Sequence, residues 1–360
     1  MKELALQTYL RTQGLATLET TYGIRTRRHS LFENLVCLKY SQFESPMAEP
    51  VVQQCRGIIL DEADDWSVVS YPFDKFFNYG EPHAAELDWE SACVQDKLDG
   101  SLMTLYFYNG RWQVQSSGTP DASGEVTGYE FSFAELFWRT WESLGYLLPK
   151  QHEDYCFMFE LETPYNRIVV QHSEHALTLH GVRNVRTFVE ASPEVWANRT
   201  GWRSVDSYPF GTVEALIAKA EQLDPFEQEG FVVCDRFFNR VKLKSSEYVK
   251  LSHLKEGSSE RKLLSIVVNN ESAEFLAYFQ ELEALFREIE ARYARLVEKL
   301  EKEYEKYREI EVQKEFAMAV KALPYSGVLF ALRAGKVRSV RDYLASLPIV
   351  KVEQLLEEMV

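Results

Sequence analysis

The segment Asp96-Lys97-Leu98-Asp99-Gly100-Ser101 sets a lysine between two aspartates, just ahead of the strand-like run Leu102–Tyr108. A lysine amine is a nucleophile only when neutral, and nearby positive charge is one way to make it so. Suitable cations recur along the chain: Arg56 in Cys55-Arg56-Gly57-Ile58-Ile59, Lys75 in Asp74-Lys75-Phe76-Phe77-Asn78, and Lys242 and Lys244 in Val241-Lys242-Leu243-Lys244. Arginine can grip two phosphate oxygens at once, and lysine acts on phosphate as a point charge. Two carboxylates lie in order between them, Glu160 in Phe157-Met158-Phe159-Glu160 and Glu229 in Glu229-Gly230-Phe231-Val232-Val233, with Pro164-Tyr165-Asn166-Arg167-Ile168-Val169 in between. Alone, Lys-x-Asp-Gly reads equally well as a surface turn, and any one of these charges as a surface ion pair. Arg56, Lys75, Lys97, Glu160, Glu229, Lys242 and Lys244 together in this order make that reading untenable.

The ordered set resembles the covalent nucleotidyltransferase superfamily of ATP-dependent ligases and mRNA capping enzymes. The Lys75-Phe76-Phe77-Asn78 segment, the Pro-x-Asn-Arg-Ile-Val run and the Lys-x-Lys-Ser ending narrow the resemblance to the T4 RNA ligase 1 family, over roughly residues 30–255. That family implies Lys97 as the nucleophile that takes AMP from ATP. It implies Arg56, Lys75, Lys242 and Lys244 as ATP or phosphate contacts, Glu160 as a ribose contact, and Asp99 as the residue orienting the lysine and the attacking or leaving group. Glu229 would organise Mg²⁺ or Mn²⁺ through water, and Tyr40 falls near a nucleotide contact. The implied substrate is RNA with 5′-phosphate and 3′-hydroxyl ends, broken tRNA included. Two alternatives stand beside it: a DNA ligase or capping-type enzyme, and a non-catalytic RNA-binding protein with a decayed nucleotide site.

The sequence departs from the family pattern in places. Ser117, in Gln115-Ser116-Ser117-Gly118-Thr119, stands where the family usually has a basic residue. The adenine-flanking stretch Leu177–Val182 offers no large aromatic, which leaves Val232 and Val233 as an apolar face. A family metal-ligand position falls near Ala273, so no direct ligand is assigned there. His172 and His175 read as a polar loop rather than a metal site.

These residues need a scaffold. Short β-branched or aromatic runs at 57–60, 102–108, 112–115, 155–159, 167–170 and 230–233 read as strands. Asn109-Gly110 between two of them signals a hairpin. Helices are expected at the N-terminus, at Ser132–Leu144 and at Val213–Gln222. The fold class is therefore α+β, an adenylyltransferase domain with largely antiparallel sheets over residues 1–254. An all-helical domain over 255–360, expected to read the RNA substrate, follows it. No Gly or Pro interrupts between Glu271 and Pro324, where apolar residues repeat at helical steps, so one long amphipathic helix or two joined ones should fill this stretch. Shorter helices are expected at 327–334, 337–347 and 352–359. An OB-fold after the last lysine motif would need several short strands, and this region has none of that texture.

Bulk features set limits. The chain has 360 residues with 46% hydrophobic content, which rules out disorder and can bury a large core. Five widely spaced cysteines, odd in number and without a Cys-x-x-Cys pair, read as reduced thiols. With no secretory signal or membrane-spanning run, the expectation is a soluble cytoplasmic monomer without membrane contact. The formal charge of −15 argues against coating nucleic acid by bulk positive charge. Residues 1–255 carry net −12 and residues 256–360 net −3, so RNA must meet local cations in a cleft. The Arg333, Lys336, Arg338 and Arg341 cluster is a second candidate contact, or else a solvated helix face.

Overall fold

The computed structural model describes residues 3–253, 259–277 and 280–359. It divides into two compact units, Met1–Tyr248 and Val249–Val360. The change of sequence texture near 255 falls outside the described residues, and the division comes slightly earlier because Val249 already packs into the helical core.

Three sheets build the first unit. One is antiparallel in the order Arg25–Arg28, Leu35–Lys39, Arg56–Asp61 and Ser67–Ser70. The second runs Glu190–Ala191, Ala176–Asn184, Tyr155–Glu162, Ser101–Tyr108 and Arg111–Ser116, with Arg203–Ser204 added in parallel. The third runs Ser207–Pro209, Cys93–Lys97, Gly230–Cys234, Arg240–Lys244 and Phe77–Asn78, the last pairing being parallel.

Local chemistry explains much of this. Tyr108 pairs with Arg111 across a two-residue turn in which Asn109 and Gly110 both have positive φ, 48° and 78°. This is the turn geometry that Asn-Gly favours in hairpins. The helix Phe133–Ser143 begins with a capping box: Ser132 Oγ accepts from Glu135 N, and Glu135 Oε2 accepts from Ser132 N at 2.7 Å. Its Leu136, Phe137 and Trp141 pack with Phe157, Phe159, Trp196 and Trp202 in the core over the second sheet. The five cysteines are free thiols, and burial pushes Cys37 up to about 12.

Two expectations fail. Residues 167–170 are not a strand but a bend, because the backbone N–H groups of Val169 and Val170 are used by a buried carboxylate instead of a ladder. Residues 271–324 are not one or two helices but Ser272–Leu276, a 3₁₀ turn Gln280–Leu282, Glu283–Tyr307 and Gln313–Val320. Tyr278 and Phe279 lie outside the described residues. The long helix buries Phe286, Ile289, Tyr293, Leu296, Val297 and Leu300 on one face. It stops before Gln313 where Arg333 donates to Glu311 O and Gln313 Oε1, both at 2.8 Å, and holds the turn. Ser259–Val268 before these, and Ser326–Arg333, Val340–Ser346 and Ile349–Met359 after them, complete this unit, whose described part is helical throughout.

Candidate active site

Strand alternation in the third sheet sorts its side chains into two faces. Val94, Phe231, Val233, Val241 and Leu243 pack into a core. Their neighbours Gln95, Lys97, Gly230, Val232, Lys242 and Lys244 therefore share the other face, in a register that sets Gly230 opposite both Lys97 and Lys244. Val233 thus cannot serve as an apolar wall for a nucleotide, and only Val232 of that pair is on the right side. Gly230 is required by closeness: a Cβ there would collide with the Leu243 carbonyl.

Glu229 enters this face from the start of its strand. Its Oε2 accepts from Lys97 Nζ at 2.6 Å, and its Oε1 lies 3.3 Å from Lys244 Nζ. Glu229 is 4% exposed, whereas the Lys97 side chain keeps 21%. The sequence reading surrounded Lys97 with cations. The structure pairs it first with a carboxylate, which a second lysine shares.

Asp99 is placed differently from its expected role. It is 2% exposed, its Oδ2 accepts from Val169 N at 2.8 Å and Val170 N at 2.7 Å, and its Oδ1 accepts from Tyr248 OH at 3.0 Å. No described contact joins its carboxylate to Lys97. Asp99 thus holds the 167–170 bend against the segment that follows Lys97. His172 Nε2 lies 2.6 Å from the Asp99 carbonyl oxygen, so that nitrogen carries the ring proton. Gly100 also answers to crowding, since a Cβ would come within 2.5 Å of Leu161 O.

Glu160 reaches the site from the second sheet, its strand position paired with Leu102 and Thr178. His180 Nε2 lies 3.1 Å from Glu160 Oε2. His180 sits at a register shift between Leu179 and Gly181, the kind of bulge that re-aims a side chain. On the same face Glu162 accepts from Thr178 Oγ1 at 3.0 Å, and burial raises its carboxyl pKa against that bond.

The phosphate-binding candidates gather around three aromatic rings. Arg56 Cζ is 5.1 Å and Lys242 Nζ 5.3 Å from the Phe76 centroid. Lys75 Nζ lies 5.5 Å from the Tyr40 ring and 5.0 Å from Phe77, which brings Tyr40 into the group. Arg56 Nη1 is buried without a hydrogen-bond partner among the described residues. A buried, unanswered cationic donor is costly unless an anion is to meet it.

The segment lacking a basic residue at Ser117 has one beside it in space. Lys39 Nζ would lie 3.6 Å from a Cβ built on Gly118, and Lys39 is in register with Arg56. Lys39, His180 and Tyr248 were not singled out in the sequence, because no local pattern marks an isolated lysine, histidine or tyrosine as facing a site. Asn166 did lie in a quoted motif, and it donates to Ser101 Oγ at 2.9 Å and Leu161 O at 2.7 Å. No three metal-ligating side chains converge among the described residues. In the helical unit the half-buried Arg333 lies 4.4 Å from the Phe316 ring and the half-buried Arg341 5.3 Å from Tyr293, so both lean on rings of their own unit.

Comparison with known proteins follows the same outline. The chain is 28% identical to an RNA ligase of Rhodothermus phage RM378 over 323 residues, 72% of this chain and 73% of the relative. It is 29% identical to a putative bifunctional polynucleotide kinase/RNA ligase of Autographa californica nuclear polyhedrosis virus, over 76% of this chain and 41% of that larger protein. Among solved structures it is similar to an archaeal ATP-dependent RNA ligase, at 13% identity and a TM-score of 0.47, covering 80% of this chain and 79% of that one. A family model described as RNA ligase, of the T4 RNA ligase 1 type, matches residues 54–248, more than half of the chain and the stretch from Arg56 to the tyrosine that bonds Asp99. The chain belongs to the T4 RNA ligase 1 family of RNA ligases.

Proposed function

We propose that this protein seals RNA in an ATP-dependent, three-step reaction with Lys97 as the covalent nucleophile. Lys97 Nζ attacks the α-phosphorus of ATP, forming a phosphoramidate with AMP and releasing pyrophosphate. AMP then passes to the 5′-phosphate of an RNA end, which frees Lys97 and leaves a 5′–5′ pyrophosphate linkage. A 3′-hydroxyl attacks the RNA phosphorus, joins the strands and expels AMP. Each step is a phosphoryl transfer, governed by positioning and charge neutralisation.

The observation that carries this reading is the Lys97–Glu229–Lys244 triad on one sheet face, beside the buried, unpartnered Arg56 Nη1. That donor set suits a polyphosphate: Arg56, Lys75, Lys242 and Lys39 would grip its oxygens and Glu160 the ribose. Glu229 is the carboxylate within reach of Lys97 Nζ, so it can hold or accept the ammonium proton. Lys244 balances the charge on Glu229 when Lys97 leaves it. Mg²⁺ or Mn²⁺ would be held largely by phosphate oxygens and water, with Glu160 and Glu229 the carboxylates on hand, and would neutralise phosphate charge. A DNA ligase or capping-type enzyme is disfavoured because the described residues after Tyr248 form helices where an OB-fold would need strands. Broken tRNA is the substrate the family resemblance favours, with the helical unit as a reading element.

Incubation with ATP and Mg²⁺ followed by intact-mass measurement tests the proposal. The wild-type chain should gain one AMP, and Lys97→Ala and Lys97→Arg should gain none, because arginine stays protonated. Absence of an adduct in the wild type with either Mg²⁺ or Mn²⁺ would overturn the mechanism. Nicked RNA should then be sealed in preference to nicked DNA.

A further inference from the structure

A cluster of aromatic rings stands at the surface, tied to the segment that follows Lys97. Tyr129 and Phe131 are stacked, with centroids 5.2 Å apart and an interplanar angle of 27°. Tyr165 meets both edge-on, at 4.9 Å from Tyr129 and 5.5 Å from Phe131, and its other side contacts His175 at 5.4 Å. Arg139 Cζ lies 5.2 Å from the Phe131 ring. Phe131 is half-buried against the core, but Tyr129 and Tyr165 remain 42% and 39% exposed. Neither phenol hydroxyl has a hydrogen-bond partner among the described residues, so both rings reach outward.

The cluster is rigid at its base. Tyr129 N donates to Val126 O at 2.9 Å, and Val126 N donates to Phe131 O at 3.0 Å, closing a tight loop under Tyr129. Tyr165 is held by Thr163 Oγ1, which accepts from its N–H at 3.1 Å. The next residue, Asn166, bonds Ser101, and the bend that follows bonds Asp99. The loop bearing Tyr165 is thus tied at two points to residues two and four positions beyond Lys97.

Resting on the ligase reading above, we infer that Tyr129 and Tyr165, backed by Phe131 and Arg139, form a stacking platform for unpaired RNA bases beside the ends being joined. Exposed, pre-ordered π-faces with an arginine behind them are what single-stranded nucleic acid binds without regard to sequence. Recognition here is by stacking rather than by phosphate grip, because Glu130 and Glu174 neighbour the rings in sequence and are exposed. A protein partner would use the same exposed rings, and the test separates that outcome.

Short single-stranded RNA carrying 2-aminopurine is titrated with the full-length protein while fluorescence is read. The wild type should quench the probe. Tyr129→Ala/Tyr165→Ala should lose the quench and weaken RNA binding by about 5- to 150-fold. The slope of affinity against salt should stay unchanged, because no phosphate contact is removed. Tyr129→Phe/Tyr165→Phe, which keeps both rings, should behave as wild type. Formation of the AMP adduct should persist in every variant, which also certifies folding. Unchanged quench and affinity in the double alanine variant would overturn the platform and leave the surface to another partner. A wild type that quenches RNA but forms no adduct would instead defeat the ligase mechanism alone.

Discussion

Two glutamates in the first unit each sit between two cations, and they differ in what they allow. Glu229 is shared by Lys97 and Lys244, whose side chains stay 21% and 16% exposed. Glu190 is shared by Arg183 and Arg240, whose side chains are 6% and 8% exposed. Arg240 binds both carboxylate oxygens, at 3.1 and 2.7 Å. The two arginines also cover aromatic rings, Arg183 over Tyr71 at 4.0 Å and Arg240 over Phe73 at 4.6 Å. Arginine's planar fork locks such a geometry and never gives up its proton, whereas lysine offers a point charge on a flexible stem that can. The Glu190 cluster ties the second sheet to the third. The Glu229 cluster repeats the pattern with partners that can let go, at the sheet face that carries Lys97.

The comparison can be broken most forcefully at Glu190. Glu190→Gln removes the charge that two buried guanidiniums share, leaving Arg183 only Asp74 at 3.5 Å, and should lower stability by about 3–5 kcal/mol, read as a drop in the denaturant midpoint. If it unfolds no more easily than wild type, the cluster is not structural. Glu229→Gln should do the reverse. Its stability should fall less, while the rate of AMP-adduct formation should drop about 10²- to 10³-fold, the scale for losing one preorganised charge partner. Equal losses of stability in both variants would erase the distinction.

Acid offers a gentler probe of the same contrast. Burial alone would raise the Glu190 carboxyl, but Arg240 and Arg183 outweigh it and hold the group below its ordinary value of 4.5. A depressed folded pKa contributes stability that is complete above the unfolded value and lost as pH falls through the folded one. The stability gap between wild type and Glu190→Gln should therefore hold steady above about pH 4.5 and narrow below it. A gap that widens on acidification would contradict this assignment.

The smallest expected effect concerns Lys39, the cation beside the Ser117 segment. Lys39→Ala should slow AMP-adduct formation roughly 10- to 100-fold, as for one charge-assisted phosphate contact. Adding Ser117→Lys to that variant should restore much of the rate. If the double variant is no faster than Lys39→Ala, the two positions do not serve the same phosphate.

The groups gathered at the candidate site were largely readable from residue order. Lys97 and Lys244 come from separate strands and Glu229 from the residue just before a third, yet each lies in a short motif whose neighbours, such as Gly100 and Gly230, are dictated by close backbone approach. The Asn109-Gly110 hairpin and the Ser132–Glu135 capping box were legible for the same reason, since a turn or a cap is satisfied within a few residues.

Other features depended on partners far along the chain. Residues 167–170 have strand-forming side chains, but Asp99, about seventy positions away, takes their amides. The long helical pattern ends where Arg333 satisfies the backbone beyond it, although no residue between Glu271 and Pro324 is a breaker. Lys39 comes beside Gly118 only because two strands and a turn converge, and Tyr40 meets Lys75 for a like reason. A sequence states which groups are present and which short-range bonds they prefer. Which distant group claims a backbone amide, or fills the place of an absent charge, is settled by packing, since those contacts exist only once the sheets have come together.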